Sequence, residues 1–201
     1  MKPLAPAFVS LMALFPLLGC RHSPKVVPAE VTDTEYQVLS AYFTGKFKRV
    51  PEVRQIVIFS ETLPMADDLK GINDLGYEHR MSAIAAAHGP LFRVLLDANR
   101  NSTHFHRSFS LPVPYQIIES SEMRSIFGTK GDIWGRFYQK YPNSSGFLAL
   151  SRVGFSPNEN QAAFYMSNHC GGLCGAGYFV IMEKRTGSDW KVLQETHLWI
   201  S

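Results

Sequence analysis

His169, Cys170 and Cys174 are the residues whose types and spacing point most directly to chemistry. They stand in Asn168-His169-Cys170-Gly171-Gly172-Leu173-Cys174-Gly175-Ala176-Gly177. Two cysteines with three residues between them admit several uses. Oxidised, they staple a short glycine-rich connection, because glycine permits the φ > 0 turns that so small a ring demands. As thiolates beside His169 they supply part of a zinc or copper set, since zinc sites use Cys pairs spaced by two to four residues plus two further ligands. His104 and His106 would complete such a set if the fold brought them close. As a redox dithiol the pair fits less well, because the usual spacing is Cys-x-x-Cys ahead of a helix. Phosphate cradling fits least: no Lys-Ser/Thr follows the glycines, and a strand is expected next.

Other reactive residue types have plainer readings. His104 and His106 sit among Arg100, Asn101, Ser102, Thr103 and Arg107, a polar stretch that reads as solvated. Asp67-Asp68 with Glu61 is a carboxylate group of the kind a loop carries. Arg152 lies in an apolar run read as a strand, and an ion pair with a sheet neighbour such as Glu183 is expected for it. No Gly-x-Ser-x-Gly, His-Glu-x-x-His or EF-hand pattern occurs. No catalytic residue and no cofactor are therefore assigned, and the only metal candidates are His104, His106 and His169.

The third cysteine, Cys20, closes the segment Leu17-Leu18-Gly19-Cys20. Before it run Lys2 and an uncharged apolar stretch from Leu4 to Leu18, about 15 residues where a bilayer-spanning helix needs about 20. A charged start, an apolar core and a small residue before the cleavage point are the parts of a secretory signal. The four residues ending at Cys20 resemble the lipobox of bacterial lipoproteins. That resemblance implies diacylglycerol on the Cys20 thiol, cleavage before it and acylation of the new N-terminus. Two or more acyl chains anchor stably where one does not. Arg21 follows Cys20. In lipoproteins like those of enteric bacteria an Asp there favours inner-membrane retention, so Arg21 implies the outer membrane where the host has one. Residues 1–19 are thus read as signal, 20–31 as a tether held extended by Pro24 and Pro28, and 32–201 as one globular domain. In an exported chain the two remaining cysteines read first as a disulfide.

Composition narrows the function classes. The chain has 201 residues and a formal net charge of +3. Removing residues 1–19 takes only Lys2 from the charge count and leaves +2. That is near neutral and argues against nucleic acid, which calls for a concentrated basic patch. Aromatics make up 12% of the chain, enough for a substantial core.

The elements that must position the candidate residues emerge from patterning. Thr32 and Glu35 fit a capping box, with Val31 and Tyr36 placed as a hydrophobic staple. Tyr36, Leu39, Tyr42 and Phe43 share one face of a helix expected to stop at Gly45. Val53–Phe59 reads as a buried strand. Helical character over 82–87 and 91–99 is split by Gly89-Pro90, and Pro112 and Pro114 demote 105–118 to an extended edge or loop. Gly131–Tyr141 reads as a helix whose aromatic stripe, Trp134 included, packs a core. Phe147–Phe155, Gln161–His169, Tyr178–Lys184 and Trp190–Ile200 have strand length and turn-like separators, the signature of an antiparallel meander. Trp190 is expected in the core. The fold class is α+β: N-terminal and central helices on one face of a mainly antiparallel sheet that ends in a four-strand C-terminal meander.

Trp134 to Trp199 also carries Phe137-Tyr138-Gln139-Lys140-Tyr141-Pro142, Ser151-Arg152-Val153-Gly154-Phe155, the Cys170–Gly177 loop and Trp190-Lys191-Val192. In these motifs the stretch resembles a group of exported bacterial proteins of unknown function, many with a lipoprotein-type signal. The resemblance implies fold integrity and location and carries over no catalytic residue. The function expected is a lipid-anchored envelope protein, held to the membrane by its N-terminal lipid and acting as a non-enzymatic module that binds an envelope protein or small ligand. The alternative is a small envelope hydrolase or metal-dependent enzyme using His104, His106 and His169.

Overall fold

The computed structural model describes residues 30–48, 53–65, 75–185 and 189–201. The signal, most of the tether and Asp67-Asp68 lie outside them. Four helices are found among the described residues: α1 (Asp33–Phe47), α2 (Leu75–Ala98), α3 (Ser120–Phe127) and α4 (Ile133–Lys140). The strands are β1 (Gln55–Phe59), β2 (Tyr115–Ile118), β3 (Ser144–Leu150), β4 (Gly154–Phe155), β5 (Gln161–Gly171), β6 (Cys174–Lys184) and β7 (Trp190–Ile200). They form one mixed sheet in the order β2-β1-β3-β5-β6-β7, with β4 beside β5. β1 runs parallel to β2 and β3, and the pairs from β3 onward are antiparallel. The α+β class and the C-terminal antiparallel run are as the sequence predicts.

One expectation is corrected: helices cover both faces of the sheet. Ile56, Ile58, Leu148, Leu150, Phe164, Met166, Val180 and Met182 pack with α1 and with Phe105 and Phe109. The alternate residues Ala149, Ala163, Tyr165, Phe179 and Ile181 pack with α2, and Val57 packs with Ile126 of α3 and Phe137 of α4. The reason lies in the strands themselves. Ala162–Ser167 and Phe179–Met182 are buried without a break, and a strand apolar on both sides needs cover on both.

Local signals account for most boundaries. Thr32 and Glu35 form the capping box reciprocally, and Val31 and Tyr36 join the same core cluster. α1 runs through Gly45 to Phe47. The two helical stretches around Gly89-Pro90 merge into α2, with a kink where His88 takes φ −129° and ψ 30°. Pro90 has no N–H for the preceding turn, so the helix bends there. β2 begins directly after Pro114, whose carbonyl accepts from Ile56 N at 3.0 Å. A proline just ahead of a strand forfeits no ladder bond.

The run Phe147–Phe155 is divided. β3 and β4 flank β5 in one line, interrupted at Ser151–Val153. Each N–H of the interruption is satisfied: Ser151 by Tyr165 O, Arg152 by Asn99 Oδ1 at 2.7 Å, Val153 by Glu35 Oε1 at 3.1 Å. The Arg152 side chain turns to Glu35 rather than Glu183. Its Nη2 lies 2.7 Å from Glu35 Oε2, with the two side chains 5% and 3% exposed, and it also donates to Glu30 O at 2.8 Å. Glu183 is instead paired with Arg185. Arg152 chooses Glu35 because the carboxylate fixed by the capping box faces the break in the strand and is out of water.

Candidate functional site

Strand alternation puts Tyr165, Ser167 and His169 of β5 on the face covered by α2 and α4. Opposite Ser167 and His169, β6 presents Gly177 and Gly175. The two glycines leave the surface of β6 open to a large ring. Trp199, paired with Gly177 on β7, lies across β6, and a Cβ at Gly177 would overlap its indole. Trp199 thereby reaches β5, where its Nε1 donates to Tyr165 OH at 2.8 Å and its ring meets the His169 ring at 5.7 Å. On the other side of His169, Phe147 of β3 stacks at 4.9 Å and 17°. Trp134 of α4 stacks in turn on Phe147 at 6.1 Å and 17°. Trp134, Phe147, His169 and Trp199 form a half-buried row of rings across four elements.

The row has polar handles. The Ser167 hydroxyl and His169 Nε2 share a hydrogen bond of 2.9 Å. Burial pushes the His169 imidazole below its usual pKa, which keeps it neutral near neutral pH. Tyr138 OH donates to Cys170 O at 2.8 Å, tying α4 to the hairpin. Cys170 and Cys174 are joined as a disulfide, with Cα atoms 5.0 Å apart. Pairing continues to Gly171 and Cys174, so the expected loop is the tip of a ladder. Leu173 stands at that tip, 91% exposed, and Ile200 on β7 is 73% exposed.

The three candidate histidines do not meet. His169 pairs with Phe147 and Phe147 with Val57. His104 bridges to Glu61, four residues beyond Val57 and just past the end of β1. At ~3.3 Å per residue that is about 13 Å along the strands, with two strand spacings of ~4.8 Å across. His104 and His106 are exposed, and His106 N donates to Tyr36 OH at 2.6 Å on the α1 face. Glu61 accepts from the Ser120 hydroxyl. Among the described residues no group of three or more His, Cys, Asp or Glu side chains is arranged to hold a metal ion.

Ser167 and His169 are the one hydroxyl and imidazole at nucleophile–base distance in this row. Ser167 is buried, so its hydroxyl is closed to solvent in this conformation. Sequence reading named His169 and both cysteines. It missed the rings, although Gly175-x-Gly177 facing an aromatic strand end was a signal for a tryptophan lying flat. Trp190 is buried in the core as expected, and Trp134 is a half-buried member of the row. No family model, curated protein or solved structure matches the chain.

Proposed function

We propose that the protein is a lipid-anchored module of the bacterial envelope whose work is binding, with the His169 end of the sheet as its working surface. One observation carries the binding half of this reading: a half-buried row of rings with few polar handles ends beside a disulfide-closed tip bearing an exposed leucine. Binding sites are commonly aromatic and apolar with a small number of placed polar groups. The anchor half is supported by Leu17-Leu18-Gly19-Cys20. No helix of the described residues is long and apolar enough to cross a membrane. In this reading acyl chains on Cys20 attach the protein, and Arg21 in place of Asp favours the outer membrane where the host has one.

The test is metabolic labelling with an alkyne palmitate, with fractionation afterwards. The wild type is expected in the membrane fraction carrying label, and Cys20→Ala is expected to carry none. Label that persists in Cys20→Ala would show that Cys20 is not the anchor.

A further inference from the structure

The Cys170–Cys174 bond closes a ring of five residues, which restricts the unfolded chain only slightly. Nor does the hairpin depend on it for shape. The β5–β6 ladder runs from His169 opposite Gly175 to Gly171 opposite Cys174, leaving Gly172 and Leu173 as a two-residue turn. Tyr138 OH donates to Cys170 O, and Ser201 N donates to Gly175 O at 2.9 Å. The tip is thus fixed on both strands by bonds that do not pass through sulfur. Exposed disulfides are the labile, regulatory or catalytic ones, while structural ones resist reduction.

The two sulfurs have different surroundings. Cys174 is exposed and Cys170 half-buried. Gly146, at φ 96°, brings the β3 backbone against Cys170, where an added Cβ would come within 2.8 Å of Cys170 Cα. A Cβ added at Gly172 meets nothing within 4 Å, so the turn beside Cys174 is open. An attacking thiolate is an anion, and from Gln161 through Met182 no Asp or Glu side chain stands to repel it. Cys170 is suited to leave. Asn168 Nδ2 donates to Cys170 Sγ at 3.6 Å, and a hydrogen bond to a forming thiolate stabilises it and speeds its departure. Cys174 O lies 2.9 Å from the same sulfur and accepts its S–H once the thiolate takes a proton.

We propose that Cys170–Cys174 is a thiol–disulfide exchange site for a dithiol, attacked at Cys174 Sγ with Cys170 Sγ as the leaving group. One thiolate of the dithiol attacks Cys174 Sγ. A new S–S bond joins the donor to Cys174, the Cys170–Cys174 bond breaks, and Cys170 departs with the electron pair. The donor's second thiolate then attacks the donor sulfur of the mixed disulfide and releases Cys174. Two electrons have passed. The donor is oxidised to a disulfide, and Cys170 and Cys174 are reduced and take up the two protons the donor lost. The same steps in reverse reoxidise the pair with the donor's disulfide. The exchange depends neither on what anchors the chain nor on what the row of rings binds.

The experiment measures reduction of the full-length protein, prepared without reductant, by glutathione in native buffer and in concentrated urea. Urea opens both sulfurs to attack, so the rate there is the intrinsic one. The native rate is expected within about tenfold of it, and a slower native rate would overturn the proposal and make the bond structural. Quenching with excess N-ethylmaleimide and fragmenting the peptide locates the first attack. Glutathione on Cys174 with maleimide on Cys170 is expected; glutathione on Cys170, or on both equally, would overturn the assignment of the sulfurs. Asn168→Ala should slow the native reaction several-fold and leave the rate in urea unchanged; no slowing would remove Asn168 from the leaving-group role. Should that variant fail to fold, the wild-type rates and the adduct position decide alone. With dithiothreitol as the dithiol probe the reaction should run on to two free thiols while far-ultraviolet circular dichroism is kept. A spectrum that collapses on reduction would show that the fold needs the bond and would overturn exchange.

Discussion

Arg152→Met should unfold this domain far more readily than its modest change in volume suggests. The Glu35 carboxylate accepts from five donors: Thr32 N, Thr32 Oγ1, Arg152 Nε, Arg152 Nη2 and Val153 N. Removing Arg152 takes two of them and the only cation paired with Glu35 among the described residues. A buried pair broken on one side typically costs 3–5 kcal/mol. Three donors remain to Glu35, which places Arg152→Met near the lower end, about 3 kcal/mol. Glu35→Leu takes two carboxylate bonds from the guanidinium and removes half of the capping box, worth about 1 kcal/mol by itself, so about 4 kcal/mol is expected. The double change leaves neither charge buried alone. It should cost about 1–2 kcal/mol, because apolar replacement of a buried pair is often close to neutral. The coupling between the two sites is then several kcal/mol, well above the ~0.5 kcal/mol within which independent sites add. Urea unfolding monitored by tryptophan fluorescence measures all four proteins. Single changes below about 1 kcal/mol, or a double equal to the sum of the singles, would refute the view that this pair is a desolvated unit. Against a total of about 5–15 kcal/mol, either single change takes a large share.

Three further outcomes are expected. Gly177→Ala should lift Trp199 off β6 and break its bond to Tyr165, destabilising by about 1–3 kcal/mol as overpacking does; near-ultraviolet circular dichroism should register the released indole, and an unchanged spectrum would mean the close approach is unimportant. Thiol titration of the unfolded, unreduced protein should find no free thiol at Cys170 or Cys174, and reduction should lower stability by only about 2 kcal/mol for a ring of this size; two free thiols before reduction would reopen the metal reading. His169, whose pKa burial depresses in the fold, is neutral in both states above about pH 6.5. Below that the unfolded chain takes up the proton first, so stability should fall as pH drops from about 6.5 towards the folded value; His169→Gln should remove that part of the pH dependence, and identical pH profiles would rule it out.

Legibility in the sequence depended on distance along the chain. The capping box at Thr32 and Glu35 was readable because its partners are three residues apart. The true partner of Arg152 was not, because Glu35 lies 117 residues away and the nearer Glu183 looked equally suitable. Pro112 and Pro114 hid β2, since the rule that keeps proline out of central strands says nothing about the residue after it. α3 went unrecognised because its N-cap position, Glu119, makes no side-chain capping bond. At the site, His169 and the cysteines were visible as types, while the row of rings needed the register that brings β3, β5 and β7 side by side. The continuous apolar runs of β5 and β6 already implied cover on both faces, and they outweigh the meander pattern that suggested one.

The clamp at Glu30 also has a mechanical meaning. Tension arriving from the N-terminal side would not begin by unwinding α1. It first meets the Arg152 guanidinium, which grips the chain at Glu30 O and the helix at Glu35 while its own backbone is bonded to Asn99. The load therefore passes into the middle of the sheet, between β3 and β4, where bonds to neighbouring elements must yield together in shear. A domain pulled from its N-terminal side would in this way be gripped at its centre, with the His169 end outside the path of the load.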